Sequence, residues 1–161
     1  MVSVKKICLL WVFAIFALQS GLVSAELADK KVLTLGAAKK IAAAAELEAE
    51  KNSWNVVIAV VDDGGHLLYF QRMDGAPRGS VAVAIGKATT SANFGAPTKV
   101  FDDMTRERPA IASIPNAVFL EGGVPVIVNG QVVGAVGVSG VASHQDAQTA
   151  QAGIDALDAV K

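Results

Sequence analysis

The sequence contains one cysteine, two histidines and few aromatic residues, which make up 6% of its 161 positions. A single cysteine excludes an internal disulfide and a cysteine-only zinc site. His66 and His144 lie far apart and no H-E-x-x-H pattern is present, which argues against a zinc site built from several histidines. The formal net charge of −1 provides no basic surface for nucleic acid, so we expect no nucleic-acid partner.

Apolar residues make up 52% of the chain and charged residues 18%. This composition is too apolar for a disordered protein and too mixed for a polytopic membrane protein. The length fits one domain, and the chain shows no internal repeat or low-complexity linker.

The first 25 residues have the three parts of a signal peptide. Lys5 and Lys6 form a positive region, an apolar run extends from Ile7 to Leu18, and Val23-Ser24-Ala25 offers small residues before Glu26. The alternative is a retained anchor, but the apolar run is short for a span of about 20 residues. We therefore predict cleavage after Ala25, a single domain over residues 26–161, and a periplasmic or secreted location.

The first half of the mature chain predicts a helix followed by a β-hairpin. Thr34 is a suitable N-cap, and a stripe of small apolar residues follows it at helical spacing. The β-branched run from Asn55 to Val61 predicts a central strand that is buried on both faces. Asp62-Asp63-Gly64-Gly65 predicts the turn, and His66 to Phe70 the returning strand.

The second half predicts two helices, another hairpin and a last helix. Ser80 and Thr98 are the expected caps of the two helices, and Pro109 ends the second of them. Asn129-Gly130 is typical of a type I′ hairpin turn, and the strands on either side of it are rich in valine. Ser143-x-x-Asp146 is typical of a capping box. The order helix, hairpin, helix, helix, hairpin, helix predicts an α+β domain of two or three layers with an antiparallel sheet.

Several catalytic patterns fail on inspection. Gly137-Val138-Ser139-Gly140-Val141 has valine where a nucleophile elbow needs its last glycine. The spacing of Gly134, Gly137 and Gly140 lacks the G-x-G opening of a dinucleotide site. The adjacent carboxylates of Asp62 and Asp63 are explained by the turn. The sequence therefore gives no acid, base or nucleophile to name, and we expect no rapid enzymatic activity.

Five blocks of sequence, in order, carry a family resemblance that covers nearly all of residues 33–160. They are Val60-Val61-Asp62-Asp63-Gly64-Gly65 with Arg72-Met73-Asp74-Gly75-Ala76, Lys87-Ala88-Thr89-Thr90, Ala96-Pro97-Thr98, Gly122-Gly123-Val124-Pro125-Val126, and Gly134-Ala135-Val136-Gly137-Val138-Ser139-Gly140. In these blocks the chain is similar to the haem-degrading and haem-binding HbpS-like family, which includes GlcG proteins and the C-terminal domain of PduO-type proteins. The resemblance implies a profilin-like fold and homo-oligomers from dimers to octamers. Exported relatives bind haem and can signal to a sensor kinase.

The resemblance makes haem the expected ligand and suggests site residues, each of which also has a structural explanation. His66 would coordinate the haem iron, or it is a half-exposed strand residue. Arg72 would bind a propionate, or it pairs with Asp74. Met73 would be a soft axial ligand, or it packs in a loop.

The resemblance suggests three further ligand-binding positions, Thr98, Gly122 and Gly123. Thr98 would contact a ligand, or it caps its helix. Gly122 and Gly123 would let a ligand approach the backbone, or they permit close packing. His144 is expected to be a solvated residue near the start of the last helix. A haem site would then lie between subunits, because one chain has few aromatic side chains to cover a macrocycle.

The leading interpretation is an exported haem-binding protein, with at most a slow oxidative degradation of bound haem. The first alternative is an oligomeric accessory protein that binds a small organic acid through Arg72 and the Gly122-Gly123 loop. The second is a structural or partner-binding module without enzymatic activity.

Overall fold

The computed structural model describes residues 28–158, so the predicted signal peptide lies outside the described residues. The helices are α1 (Leu35–Lys51), α2 (Ser80–Phe94), α3 (Thr98–Glu107) and α4 (Ser143–Asp158), with a 3₁₀ helix at Pro109–Ser113. The strands are β1 (Val57–Asp62), β2 (Leu67–Arg72), β3 (Gly123–Val128) and β4 (Gln131–Ser139). In this described part of the chain, no helix is both long and apolar enough to cross a membrane.

The four strands form one antiparallel sheet in the order β2-β1-β4-β3. Each hairpin pairs its own two strands, and β1 pairs with β4 to join the hairpins at the centre. Residues 57–61 of β1 are fully buried, as its β-branched sequence predicts. The predicted α+β class, the antiparallel sheet and the element order are confirmed.

Helices cover both faces of the sheet. Val56, Ile58 and Val60 point into the core beneath α1 and α4, whereas Val57, Ala59 and Val61 point towards α2. Close approach of α2 requires glycine on β4, since a Cβ at Gly137 would lie 2.1 Å from the carbonyl oxygen of Ala84. The domain is therefore a three-layer sandwich.

The first hairpin differs from its prediction at both ends of β2. The Asp62 carboxylate accepts hydrogen bonds from the amides of Gly64 (2.9 Å) and His66 (2.8 Å). These bonds keep His66 in the turn, so the strand begins at Leu67 and not at His66. Arg72, two residues beyond the predicted end of the strand at Phe70, pairs with Val57 as the last residue of β2.

The helix starts also differ in detail. Thr34 caps α1 as predicted, because its side chain accepts a hydrogen bond from the amide of Ala37. Ser80, Thr98 and Ser143, the predicted caps, are instead the first helical residues, so each of these helices begins one residue earlier than predicted. The stretch from Phe119 to Glu121 is not a strand, since β3 begins at Gly123.

Candidate functional site

A cleft of about 340 Å³ opens where β3 begins and the first turns of α4 pass alongside. We call it the Gly122–Gly123 cleft. Its apolar walls come from residues before α3, on β3 and on α4, while two glycines and a histidine complete it. The cleft is lined by Pro97, Lys99, Gly122, Gly123, Val124, His144 and Ala147, among others.

The backbone at the two glycines is fixed by Thr98. The fully buried Thr98 hydroxyl accepts a hydrogen bond from the Gly123 amide (2.8 Å) and donates one to the Leu120 carbonyl (2.7 Å). Gly122 has a φ of 129°, a conformation open to glycine. Thr98, predicted as a ligand contact or a cap, therefore holds the cleft backbone and is not the helix cap.

A buried ion pair lies against these glycines. The Nζ of Lys87 on α2 is 2.8 Å from Oδ2 of Asp146 on α4, and the two side chains are 2% and 3% exposed. Lys87 also donates to the Val138 carbonyl at 3.0 Å. Burial raises the pKa of the Asp146 carboxyl above its ordinary value, although Lys87 and the amides of Val141 and Gly140 act to lower it. The polar contacts of the pair therefore offset part of the cost of burying its charges.

We did not identify Lys87 or Asp146 as site residues from the sequence. The available signal was Lys87 itself, which is the only charged residue in the α2 segment SVAVAIGKATTSANF. Long charged side chains are seldom fully buried without a partner, so a lone lysine on a small-residue helix predicts a buried acid elsewhere.

In the first turn of α4, Asp146 has a different role from the predicted one. We expected Asp146 to complete a capping box with Ser143. Instead, the side chain of Gln145 accepts a hydrogen bond from the Ala142 amide (3.2 Å). Asp146 faces inward and accepts a hydrogen bond from the Val141 amide (3.2 Å). His144, on the same turn, is exposed and lines the cleft.

His66 lies elsewhere. Its side chain is 84% exposed on the first hairpin turn, with Nδ1 3.4 Å from Oδ1 of Asp62. Desolvation acts to raise the pKa of Asp62, but hydrogen bonds from the backbone of His66 and Gly64 outweigh it and lower the pKa. His66 lines neither of the two clefts described in this section. Its assignment as an iron ligand stays a prediction.

Arg72 and Met73 are separated from the glycines by the width of the sheet. They lie at the end of β2, one edge of the sheet, whereas Gly123 begins β3 at the other edge, about 14 Å away by strand spacing. The guanidinium of Arg72 donates to the Ala76 carbonyl at 2.8 Å, and not to Asp74 as we considered. Within one chain, therefore, Arg72 and the Gly122-Gly123 loop do not come together, and an organic-acid site that includes both stays a prediction.

Met73 lines a second, open cleft of about 540 Å³ that also includes Trp54 and the carboxylates of Glu46, Glu50 and Asp74. Within residues 28–158, no group of three or more His, Cys, Asp or Glu residues could hold a metal ion. A haem iron differs in this respect, because it takes only one or two ligands from the protein.

These features describe an α+β domain with a small cleft at one edge of a four-stranded antiparallel sheet. The family model for the haem-degrading protein HbpS-like family matches residues 33–155. The chain belongs to the HbpS-like family. It is 46% identical to the protein GlcG of Escherichia coli K12 over 111 residues, which are 68% of this chain and 83% of GlcG.

Solved structures agree with this assignment. HbpS of Streptomyces reticuli, as a double mutant, has a TM-score of 0.78 at 39% identity, covering 83% of this chain and 92% of that one. The protein ORFY of Klebsiella pneumoniae has a TM-score of 0.77 at 34% identity, covering 86% and 100%. A PduOC:heme complex has a TM-score of 0.73 at 25% identity, covering 78% and 95%.

Proposed function

We propose that the protein binds haem or a similar tetrapyrrole at the Gly122–Gly123 cleft. The observation that carries the proposal is the exposed imidazole of His144 at a cleft with apolar walls of Pro97, Val124 and Ala147. Support comes from membership of the HbpS-like family and from the structural similarity of this chain to a PduOC:heme complex. Bound haem would supply an iron centre for coordination and redox chemistry.

The size of the cleft bears on how a macrocycle would fit. A volume of about 340 Å³ is near the lower end of ligand pockets, which range from roughly 300 to 1,000 Å³. One chain would therefore cover only part of the macrocycle. Val100 and Leu120, which lie close in sequence to the lining segments, are 47% and 48% exposed. We propose that a second copy of the chain covers the remaining face in a homo-oligomer.

The two histidines make a matched pair of variants because the chain has no others. His144→Ala is expected to abolish the low-spin absorbance spectrum of bound haem, whereas His66→Ala is expected to retain it. Both side chains are exposed, so neither variant should lower the melting temperature. Loss of the spectrum in His66→Ala alone would move the iron ligand to the first hairpin. An unchanged spectrum in both would remove imidazole ligation.

A small organic acid is the second candidate, because the volume suits it better than a macrocycle. Lys99 lines the cleft and its side chain is 53% exposed, although it is paired with Asp103 at 2.8 Å. A carboxylate ligand would replace Asp103 as the ion-pair partner of the Lys99 ammonium. Thermal-shift measurements with small monocarboxylates and dicarboxylates test this, since a ligand of the folded state raises its melting temperature. A shift that Lys99→Met abolishes supports the second candidate, and no shift with any acid rejects it.

Export, a sensor partner and slow degradation of bound haem belong to the same proposal. Mass measurement of the protein recovered from a secreting host tests export, because cleavage after Ala25 would leave Glu26 as the first residue. Loss of haem absorbance over hours in the presence of a reductant and oxygen tests degradation, with free haem as the control.

A further inference from the structure

Lys87 lies against the cleft without lining it. A Cβ added to Gly122 would lie 2.7 Å from the Nζ of Lys87, and one added to Gly123 would lie 2.4 Å from the carbonyl oxygen of Lys87. The side chain and backbone of one residue on α2 therefore support both glycines at the start of β3.

Asp146 supports the opposite wall. Its Oδ1 accepts a hydrogen bond from the amide of Val141, just before α4, and its Oδ2 accepts a hydrogen bond from the Nζ of Lys87. His144 and Ala147, which line the cleft, lie two residues before and one residue after it. The orientation of this first turn is thus set by a bond to another helix.

The pair also joins layers that have no other described ion pair between them. The helix α2 packs on one face of the sheet and α4 on the other. Lys87 reaches Asp146 past β4, where it also donates to Val138, whose amide in turn donates to the Gly122 carbonyl at 2.9 Å. Directed bonds of this kind fix a distance, whereas apolar packing of similar volume is more tolerant.

We propose that Lys87 and Asp146 are positioning residues, which hold the glycine wall and the His144 wall of the cleft at a fixed separation. Their effect on a ligand rests on the proposed function, but the positioning itself is a property of the protein without ligand. Neither residue touches the ligand space, so each acts through the backbone it holds.

The test is amide hydrogen exchange, followed residue by residue, in the chain from Glu26 onward. The variants are Lys87→Met, Asp146→Asn and the two combined, and Lys51→Met is the control because it removes a cation from an exposed pair on α1. In the combined variant, which leaves no buried charge without a partner, we expect exchange at Gly122, Gly123 and Val141 to rise by about tenfold or more, with β1 amides unchanged. The single variants should also raise exchange at β1, because each leaves one buried charge unpaired. The control should match the unmodified chain at all of these positions.

A parallel rise at the cleft and at β1 in the combined variant would overturn the proposal, because it would show that the pair only stabilises the whole domain. Unchanged exchange at the three cleft amides would overturn it as well. If the single variants do not fold, the combined variant still provides the test, since it leaves no buried charge without a partner.

Haem titration of the same variants separates this inference from the proposed function. If the unmodified chain binds haem, the combined variant should bind it at least tenfold more weakly, or with an altered Soret position, at an unchanged melting temperature. If the unmodified chain binds no haem, the proposed function fails, and the exchange experiment still decides whether the pair positions the cleft.

Discussion

Lys87 and Asp146 are 59 residues apart in sequence, yet their charged atoms meet at 2.8 Å in the interior of the domain. The contact connects helices that cover opposite faces of the sheet. A buried pair of this kind adds little net stability compared with apolar residues, but breaking it is costly. Its place beside the two cleft glycines links the packing of the core to the geometry of the site.

Removal of one member of the pair should destabilise the domain strongly. Asp146→Ala would leave the Lys87 ammonium buried without a counter-charge, at a cost of about 3–5 kcal/mol. Urea denaturation measures this cost. Lys99→Ala, which breaks the exposed pair with Asp103, is the control and should leave the midpoint unchanged. Equal urea midpoints for Asp146→Ala and Lys99→Ala would contradict the burial of the Lys87–Asp146 pair.

Close packing of α2 on the sheet predicts that Gly137 cannot be enlarged. A Cβ there would lie 2.1 Å from the carbonyl oxygen of Ala84 and 2.5 Å from the amide nitrogen of Ala88, and backbone atoms of a helix cannot move independently. Gly137→Ala should therefore cost about 3 kcal/mol or more of unfolding free energy. Gly79→Ala is the matched control, since no atom lies within 4 Å of its added Cβ. A neutral Gly137→Ala would show that α2 does not rest on β4.

The Thr98 hydroxyl should be needed for the cleft backbone. Thr98→Val keeps the shape of the side chain but leaves the buried amide of Gly123 without its acceptor, at a cost of about 1–3 kcal/mol. Thr98→Ser retains the hydroxyl and should recover most of this loss. Thermal denaturation of the two variants compares them directly, and a valine variant as stable as the serine one would refute the role of the hydrogen bond.

The turn at Asp62 predicts a dependence of stability on pH. Because the pKa of Asp62 is lowered from 3.8 in the folded state, its contribution is complete above that value and is lost as the pH falls through the lowered pKa. Asp62→Asn should cost about 1 kcal/mol at pH 7, and this cost should shrink towards pH 3.

Urea denaturation at the two pH values measures the difference for Asp62→Asn. Asp74→Asn is the control for the loss of a carboxylate from a neighbouring turn. A cost that stays constant or grows at pH 3 would show that the charge of Asp62 does not support the turn.

The architecture was predictable because it depends on local patterns. The β-branched run of β1, the Asn129-Gly130 turn and the cap at Thr34 each specify their own element through neighbouring residues. Local rules failed where a distant partner takes over a side chain. Thr98 bonds to residues 22 and 25 positions away, and Asp146 bonds to Lys87, so neither serves the local cap expected from its spacing.

The site was less predictable for the same reason. Arg72 and Met73 come from one sequence block and lie together at one edge of the sheet. Gly122 and His144 are distant in sequence, and they line the same cleft only because β3 pairs with β4 and α4 packs back beside β3. Spacing in sequence does not contain that information. His144 was expected to be merely solvated, because its neighbours across the cleft come from a segment about 20 residues earlier.

The most direct test is an absorbance titration of haem into the chain from Glu26 onward, with the oligomer mass measured on the same sample. We predict a saturable Soret shift with a defined stoichiometry at micromolar or tighter affinity, and a ratio of one haem to two chains if the site lies between copies. A shift that does not saturate, or no shift at all, would contradict haem binding and leave the small organic acid as the ligand to test.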